Sequence, residues 1–193
     1  MLGFPTQLKY IIGPVSVAFF IIIASLIPDT FLETLYLEPN KVFGGELWRI
    51  ITGQFLHSNN AHMWMNIAGL ALVWALHGDH YRIHHFWVLS IIGMLLVGLL
   101  VTFFSEYGIY TGFSGVLHFL LAYGAMIDIK NKDKTGYLLI MGLLAKVAYE
   151  NVFGAAQSTE QLIEASVAVD AHAFGLVTGF LLFLIIKKPL YIK

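Results

Sequence analysis

Long apolar runs separated by short polar clusters dominate the chain. Six of them stand out, at 10–27, 61–76, 86–104, 113–127, 137–149 and 171–186. A helix that crosses a bilayer needs about 20 apolar residues, with a range of roughly 17–25. Each run therefore predicts a spanning helix, the fifth being short and interrupted by Lys146. The first run, preceded by Lys9, exceeds the apolar stretch of a secretory signal and lacks a small-x-small exit, so it reads as a retained helix. The predicted fold is all-α: one membrane domain over 1–193, with six transmembrane helices. The connection 28–60 is unusually long. Such segments tend to be functional or folded on themselves, and Phe43 and Trp48 predict that this one lies against the membrane interface.

Composition agrees with this pattern. Hydrophobic residues make up 58% of the chain and charged residues 12%, against roughly 45–50% and about 25% in soluble globular proteins. A net charge of −1 argues against a nucleic-acid partner. The absence of cysteine excludes disulfides, thiol catalysis and thiolate-bound metal.

Charge asymmetry predicts the orientation. With six spans both termini share one side, which carries Lys9, Arg82, Lys130, Lys132, Lys134, Lys187, Lys188 and Lys193, whereas the other side carries Lys41 and Arg49. Positive charge stays on the cytoplasmic side, so both termini are expected in the cytoplasm. The second, fourth and sixth runs then all begin in the extracytoplasmic leaflet. This brings His62, Asn66, Ser114 and His172 to one depth. The fourth run has about 15 residues, roughly 22 Å of helix, against a hydrocarbon core of about 30 Å. Its start, and the loop 105–112 before it, should therefore lie below the outer surface. Irregular backbone at that depth is tolerated only beside protein or a water-filled cavity.

These groups have a chemistry in common. A serine hydroxyl is a weak nucleophile until a base takes its proton, and neutral histidine is the usual base near pH 7. Both His172 and His118 are candidates for that role, His118 because it lies four residues along the same helix from Ser114. A tetrahedral intermediate needs hydrogen-bond donors. The helix start at Ser114 offers backbone amides, including that of Gly115, while His62 and Asn66 share one helix face. Taken singly, "GFSG" (112–115) reads as a helix contact, and Gly175 and Gly179 as a close-packing motif. Ionisable groups inside a membrane, however, point to function. "HGDHYRIHH" (77–85) could bind metal, but it falls on the cytoplasmic side and reads as an interfacial loop.

Three stretches, "ELWRIITGQFLHSNNAHMWMN" (46–66), "GFSG" (112–115) and "AHAFGLVTG" (171–179), resemble those of the rhomboid intramembrane serine proteases. The resemblance implies the six-helix rhomboid bundle and a cofactor-free endopeptidase. Ser114 would be the nucleophile and His172 the base, a dyad without a third carboxylate. His62 and Asn66 would help form the oxyanion hole beside the Gly115 amide, with Gly112 in a supporting place. Trp48 and Arg49 would hold the first loop, and Gly175 would let the sixth helix approach the fourth. Where many rhomboids carry tyrosine, this chain has His118, expected to pack on or hydrogen-bond to His172. "SGVLH" and "KVAYEN", with Lys146 and Glu150, resemble the rhombosortase branch, although Phe119 stands where that branch often has glycine. Lys146 and Glu150 are one turn apart and can pair, which would let a charge stay in an apolar helix; a substrate contact is the other reading. The branch implies substrates anchored by a C-terminal membrane helix with a Gly-Gly sorting tail, in the inner (cytoplasmic) membrane, and a site opening to the extracytoplasmic side. A rhomboid-like binder of client membrane segments is the alternative. A proton-relaying transporter is disfavoured, because the inner halves of the runs hold few titratable groups.

Overall fold

The structure, a computed structural model, describes residues 4–186. Lys187, Lys188 and Lys193, which contribute to the expected orientation, lie outside the described residues. Among the described residues, ten α-helices follow in order: α1 (Leu8–Ala24), α2 (Asp29–Leu32), α3 (Pro39–Phe43), α4 (Arg49–Thr52), α5 (Asn60–His77), α6 (Ile83–Phe104), α7 (Ser114–Lys130), α8 (Lys134–Phe153), α9 (Gln157–Ile163) and α10 (Val169–Ile185). No strand forms among the described residues; Leu37 and Tyr110 make an isolated antiparallel bridge.

The long helices α1, α5, α6, α7, α8 and α10 occupy the positions of the apolar runs. Two of them, α6 and α8, are long and apolar enough to cross a membrane by length and composition, while α1 and α10 are shorter apolar helices. α8 extends beyond its apolar run at both ends. It begins where the Asp133 side chain accepts the Thr135 N–H, and stops at Gly154, whose φ of 82° breaks the helix. Large apolar side chains lie exposed on the outer helices, including Phe19 and Phe20 of α1, Leu138, Met141 and Leu144 of α8, and Leu184 and Ile185 of α10. A surface of this kind suits lipid rather than water.

α7 is the centre of the bundle. It packs against α5, α6, α8 and α10, and its side chains are buried on every face from Gly115 to Ala125. A helix apolar all round is expected in such a position. Its closest neighbour is α10, because Gly175 and Gly179 present no side chain there. A Cβ at Gly175 would strike the carbonyl oxygen of Gly115, and one at Gly179 that of Phe119.

The connection 28–60 is folded rather than structureless. It contains α2, α3, α4 and a 3₁₀ turn at Gly53–Phe55. Arg49 lies at its centre, 3% exposed. Its guanidinium donates to the carbonyls of Glu33 and Tyr36 (2.7 Å each) and to the carboxylates of Glu46 (2.7 Å) and Glu38 (3.3 Å). Trp48 Nε1 donates to the Thr34 carbonyl at 3.0 Å. One charged side chain thus gathers several turns of backbone, which the fixed fork of a guanidinium does well.

The stretch 77–85, expected as an interfacial loop, is a short, ordered connection between two helices. His77 ends α5, a 3₁₀ turn covers Gly78–His80, and His84 and His85 belong to α6. The His77 ring is fully buried, in space left by the missing side chain of Gly124. Asp128 of α7 meets His77 Nε2 at 3.3 Å and His80 Nε2 at 2.9 Å. The polar cluster is therefore a tie between the α5–α6 connection and the far end of α7.

Candidate active site

Ser114 is the first residue of α7, and no side chain caps that helix start. The first N–H groups of a helix have no partner within it, so this end offers donors. Gly112, two residues earlier, has φ of 115°, a conformation that favours glycine. The missing side chain also leaves room for His62, since a Cβ there would lie 2.9 Å from the His62 ring. The loop before α7 is held to the start of α10 by Asp170, whose carboxylate accepts from Ser105 Oγ.

Across the α7–α10 contact, Ser114 Oγ lies 2.9 Å from His172 Nε2. His172 is 5% exposed. Its other nitrogen, Nδ1, lies 2.9 Å from Glu150 Oε2 of α8. Glu150 Oε1 accepts from Lys146 Nζ at 2.7 Å. The expectation of a histidine with no carboxylate partner is therefore corrected. The reason is the length of α8, which carries Glu150 past the end of its apolar run and against α10.

His118 does not face the serine hydroxyl. Its Nδ1 lies 2.8 Å from the Ser114 backbone carbonyl, and a carbonyl only accepts, so Nδ1 carries the hydrogen. Its ring stacks on His172, with centroids 4.2 Å apart and planes at 17°. Of the two histidines, His172 is the one in reach of Ser114 Oγ.

His62, Asn66, Ser114, His118, Lys146, Glu150 and His172 line one cavity of about 570 Å³, closed on another side by residues 155–168 around α9. α9 is tied to the start of α5, where Ser58 Oγ donates to the Ile163 carbonyl (2.7 Å) and Asn59 Nδ2 to the Leu162 carbonyl (3.0 Å). Asn66 Nδ2 gives one hydrogen to the His62 carbonyl at 3.0 Å and keeps a second. His62 Nδ1 lies 3.1 Å from Ser58 Oγ. Because the single Ser58 hydrogen points to Ile163, His62 Nδ1 must donate, leaving a lone pair on Nε2. His62 can offer an Nε2–H once the Ser58 hydroxyl turns toward it. The Tyr110 hydroxyl, beside this helix start, donates to the Gly112 carbonyl at 3.2 Å.

His118, Glu150 and His172 also form a possible metal-ligand group, with donor atoms within 4.8 Å of one another. Imidazole lone pairs lie in the ring plane. Two rings stacked 4.2 Å apart and nearly parallel do not aim them at a common point about 2 Å from each nitrogen. The arrangement fits a hydrogen-bond chain better than a metal centre.

The family model of the rhomboid domain matches residues 44–189. The chain belongs to the rhomboid family. No curated protein matches it. In this rhomboid, Ser114, His172, His62, Asn66 and His118 line one cavity, Gly112 lies against the His62 ring, and Gly175 lies at the α7–α10 contact. Trp48 and Arg49 lie apart, within the first connection. Sequence reasoning missed the link of Glu150 to His172 and those of Ser58 and Asn59 to α9. For Glu150 a signal existed, since a carboxylate in an apolar helix is costly and marks a functional site by default. For Ser58, 105 residues from Ile163, there was none.

Proposed function

We propose that this rhomboid is an intramembrane serine endopeptidase that cleaves membrane-anchored proteins. The observation that supports this most is the contact of Ser114 Oγ with His172 Nε2 at 2.9 Å, within hydrogen-bond reach of a nucleophile and its base. All six long helices cross the bilayer in this reading, with cytoplasmic termini in the inner membrane and the cavity open to the extracytoplasmic side.

Ser114 Oγ attacks the scissile carbonyl carbon while its proton passes to His172 Nε2. The carbonyl electron pair moves onto oxygen, where uncapped amides at the start of α7 and the second Asn66 hydrogen meet it. His62 joins them when the Ser58 hydroxyl turns. Preorganised donors of this kind contribute about 10²–10³ in rate each. Collapse of the intermediate breaks the C–N bond, and His172 returns the proton to the leaving amine. Water, deprotonated by His172, then attacks the ester, freeing the new C-terminal acid and restoring Ser114. Every proton is accounted for by His172, and no cofactor enters.

The preferred substrate carries a C-terminal Gly-Gly tail, one membrane helix and a basic end. This part of the reading rests on the "SGVLH" and "KVAYEN" stretches. Glycine near the scissile bond also suits the site physically, because it extends at little steric cost. The test uses purified protein in liposomes with such a substrate, products being identified by mass spectrometry. Cleavage is expected in wild type and absent in Ser114→Ala. Unchanged cleavage in Ser114→Ala would overturn the proposal. Cleavage of other anchored segments but not of the Gly-Gly substrate would remove the sorting-tail assignment alone.

A further inference from the structure

We infer that Glu150, held by Lys146, is a positioning residue that keeps His172 in the one tautomer able to take the Ser114 proton. The inference rests on the protease reading above and deepens it. Three helices contribute: Ser114 begins α7, His172 lies in the first turns of α10, and Lys146 and Glu150 project from the last turns of α8. The chain of contacts is continuous, with Ser114 Oγ to His172 Nε2 at 2.9 Å, His172 Nδ1 to Glu150 Oε2 at 2.9 Å, and Glu150 Oε1 to Lys146 Nζ at 2.7 Å.

A neutral imidazole carries one hydrogen, and its position is set by the stronger partner. An ionised carboxylate only accepts, so its contact with Nδ1 requires the hydrogen there. Nε2 then presents its lone pair to Ser114 Oγ, as a base must. The opposite tautomer would direct an N–H at the serine and a lone pair at the carboxylate, two repulsive contacts in place of two attractive ones. The Lys146 ammonium matches the carboxylate charge and divides the two oxygens, one for each partner. His118, stacked on His172 and fixed by the Ser114 carbonyl, limits rotation of the ring about its own axis. When His172 takes the proton it becomes an imidazolium facing an anion. The carboxylate thus stabilises the charge at the moment it forms, which is the role of the third member of a serine–histidine–carboxylate triad.

A simple ion pair within α8 would not require this geometry. Lys146 and Glu150, at i and i+4, could satisfy each other facing outward, since the Lys146 side chain is 45% exposed. Instead the Glu150 side chain is 14% exposed and turned to α10.

The test compares wild type with Glu150→Gln and Lys146→Met in liposomes. Glutamine is nearly isosteric and can donate to Nδ1, which favours the wrong tautomer. Glu150→Gln is expected to lower kcat by up to about 10⁴-fold with KM within about threefold, the scale seen when a triad carboxylate becomes an amide. Lys146→Met should lower kcat by a smaller factor, about tenfold, because the carboxylate remains. In wild type, the proton on His172 Nδ1 should give a strongly downfield resonance that disappears in His172→Ala and shifts upfield in Glu150→Gln. If Glu150→Gln fails to fold, the wild-type and His172→Ala spectra still decide: absence of a downfield proton assigned to His172 overturns the inference. So does a Glu150→Gln protein that folds and keeps kcat within twofold. Such a result beside an inactive Ser114→Ala would sink the role of Glu150 while leaving the protease reading intact. Activity in Ser114→Ala would sink that reading, and the inference with it.

Discussion

Replacing Gly175 with alanine tests whether the α7–α10 contact sets the reacting distance. The added Cβ would overlap the Gly115 carbonyl oxygen and lie 3.0 Å from the Gly115 carbonyl carbon and 3.1 Å from the Phe119 nitrogen. These neighbours are helix backbone and cannot rotate away, so the two helices must part by roughly an ångström, given carbon–carbon contacts of about 3.5–4.0 Å. Ser114 Oγ and His172 Nε2, now 2.9 Å apart, would separate by a similar amount and leave hydrogen-bond range. Overpacking of this kind costs about 1–3 kcal/mol in stability, and a misplacement of 1 Å can cost about 10²-fold in rate. Gly175→Ala should therefore lose about 10²-fold in kcat/KM, with a lower melting temperature in detergent. Gly142→Ala on α8 is the control, because nothing lies within 4 Å of the position a Cβ would take. It should keep full activity and equal or higher stability, as alanine favours helix over glycine by about 1 kcal/mol. A Gly175→Ala enzyme as active as Gly142→Ala would refute the claim that glycine at 175 sets the Ser114–His172 distance.

Three further outcomes are expected. His118→Phe retains a ring stacked on His172 and should keep most activity, whereas His118→Ala should lose about 3–10-fold, in line with about 0.5–1.5 kcal/mol for a stacked pair; equal losses in steady-state assays would argue against stacking as the reason for His118. Arg49→Ala leaves the Glu38 and Glu46 carboxylates facing each other and four acceptors unserved; since both carboxylates are partly exposed, the cost should be about 2–3 kcal/mol, less than the roughly 3–5 of a fully buried pair, read as a lower melting temperature with cleavage retained in the cold. His57, in the connection before α5, is pushed down from 6.5 to about 3 by burial and by the neighbouring His62. The folded state therefore favours the uncharged ring, so its contribution to stability is complete above pH 6.5 and is lost as pH falls toward 3, at up to about 1.4 kcal/mol per unit; thermal melts of wild type and His57→Gln between pH 7 and 4 should diverge, and parallel curves would rule it out.

The apolar runs were legible as helices because hydropathy extends over whole segments, although only α6 and α8 are long and apolar enough to cross a membrane by length and composition. The ends of the helices were less legible. α8 continues through Glu150 and Asn151 to Phe153, since backbone hydrogen bonding persists after hydropathy falls, until Gly154 turns the chain. The short helices of the first connection left no periodic signal. At the site, Ser114, His62, Asn66 and His172 were expected near one another from helix polarity, and they line one cavity. The contact of Glu150 with His172 could not be expected, because it depends on how α8 leans on α10. The His77–Asp128–His80 tie was hidden for the same reason, since its two halves are about 50 residues apart and polarity alone pointed to an interfacial loop.

Labelling with a fluorophosphonate tests the Ser114–His172 pair without any assumption about substrate. The reagent phosphonylates a serine only where a base activates the hydroxyl and donors receive the developing charge. Wild type should gain one adduct mapped to Ser114 by peptide mass spectrometry. Ser114→Ala should gain none, and His172→Ala should react slower by several orders of magnitude. Wild-type protein that stays unlabelled while folded and cleaving, or that is labelled elsewhere, would contradict the assignment of Ser114 as the nucleophile.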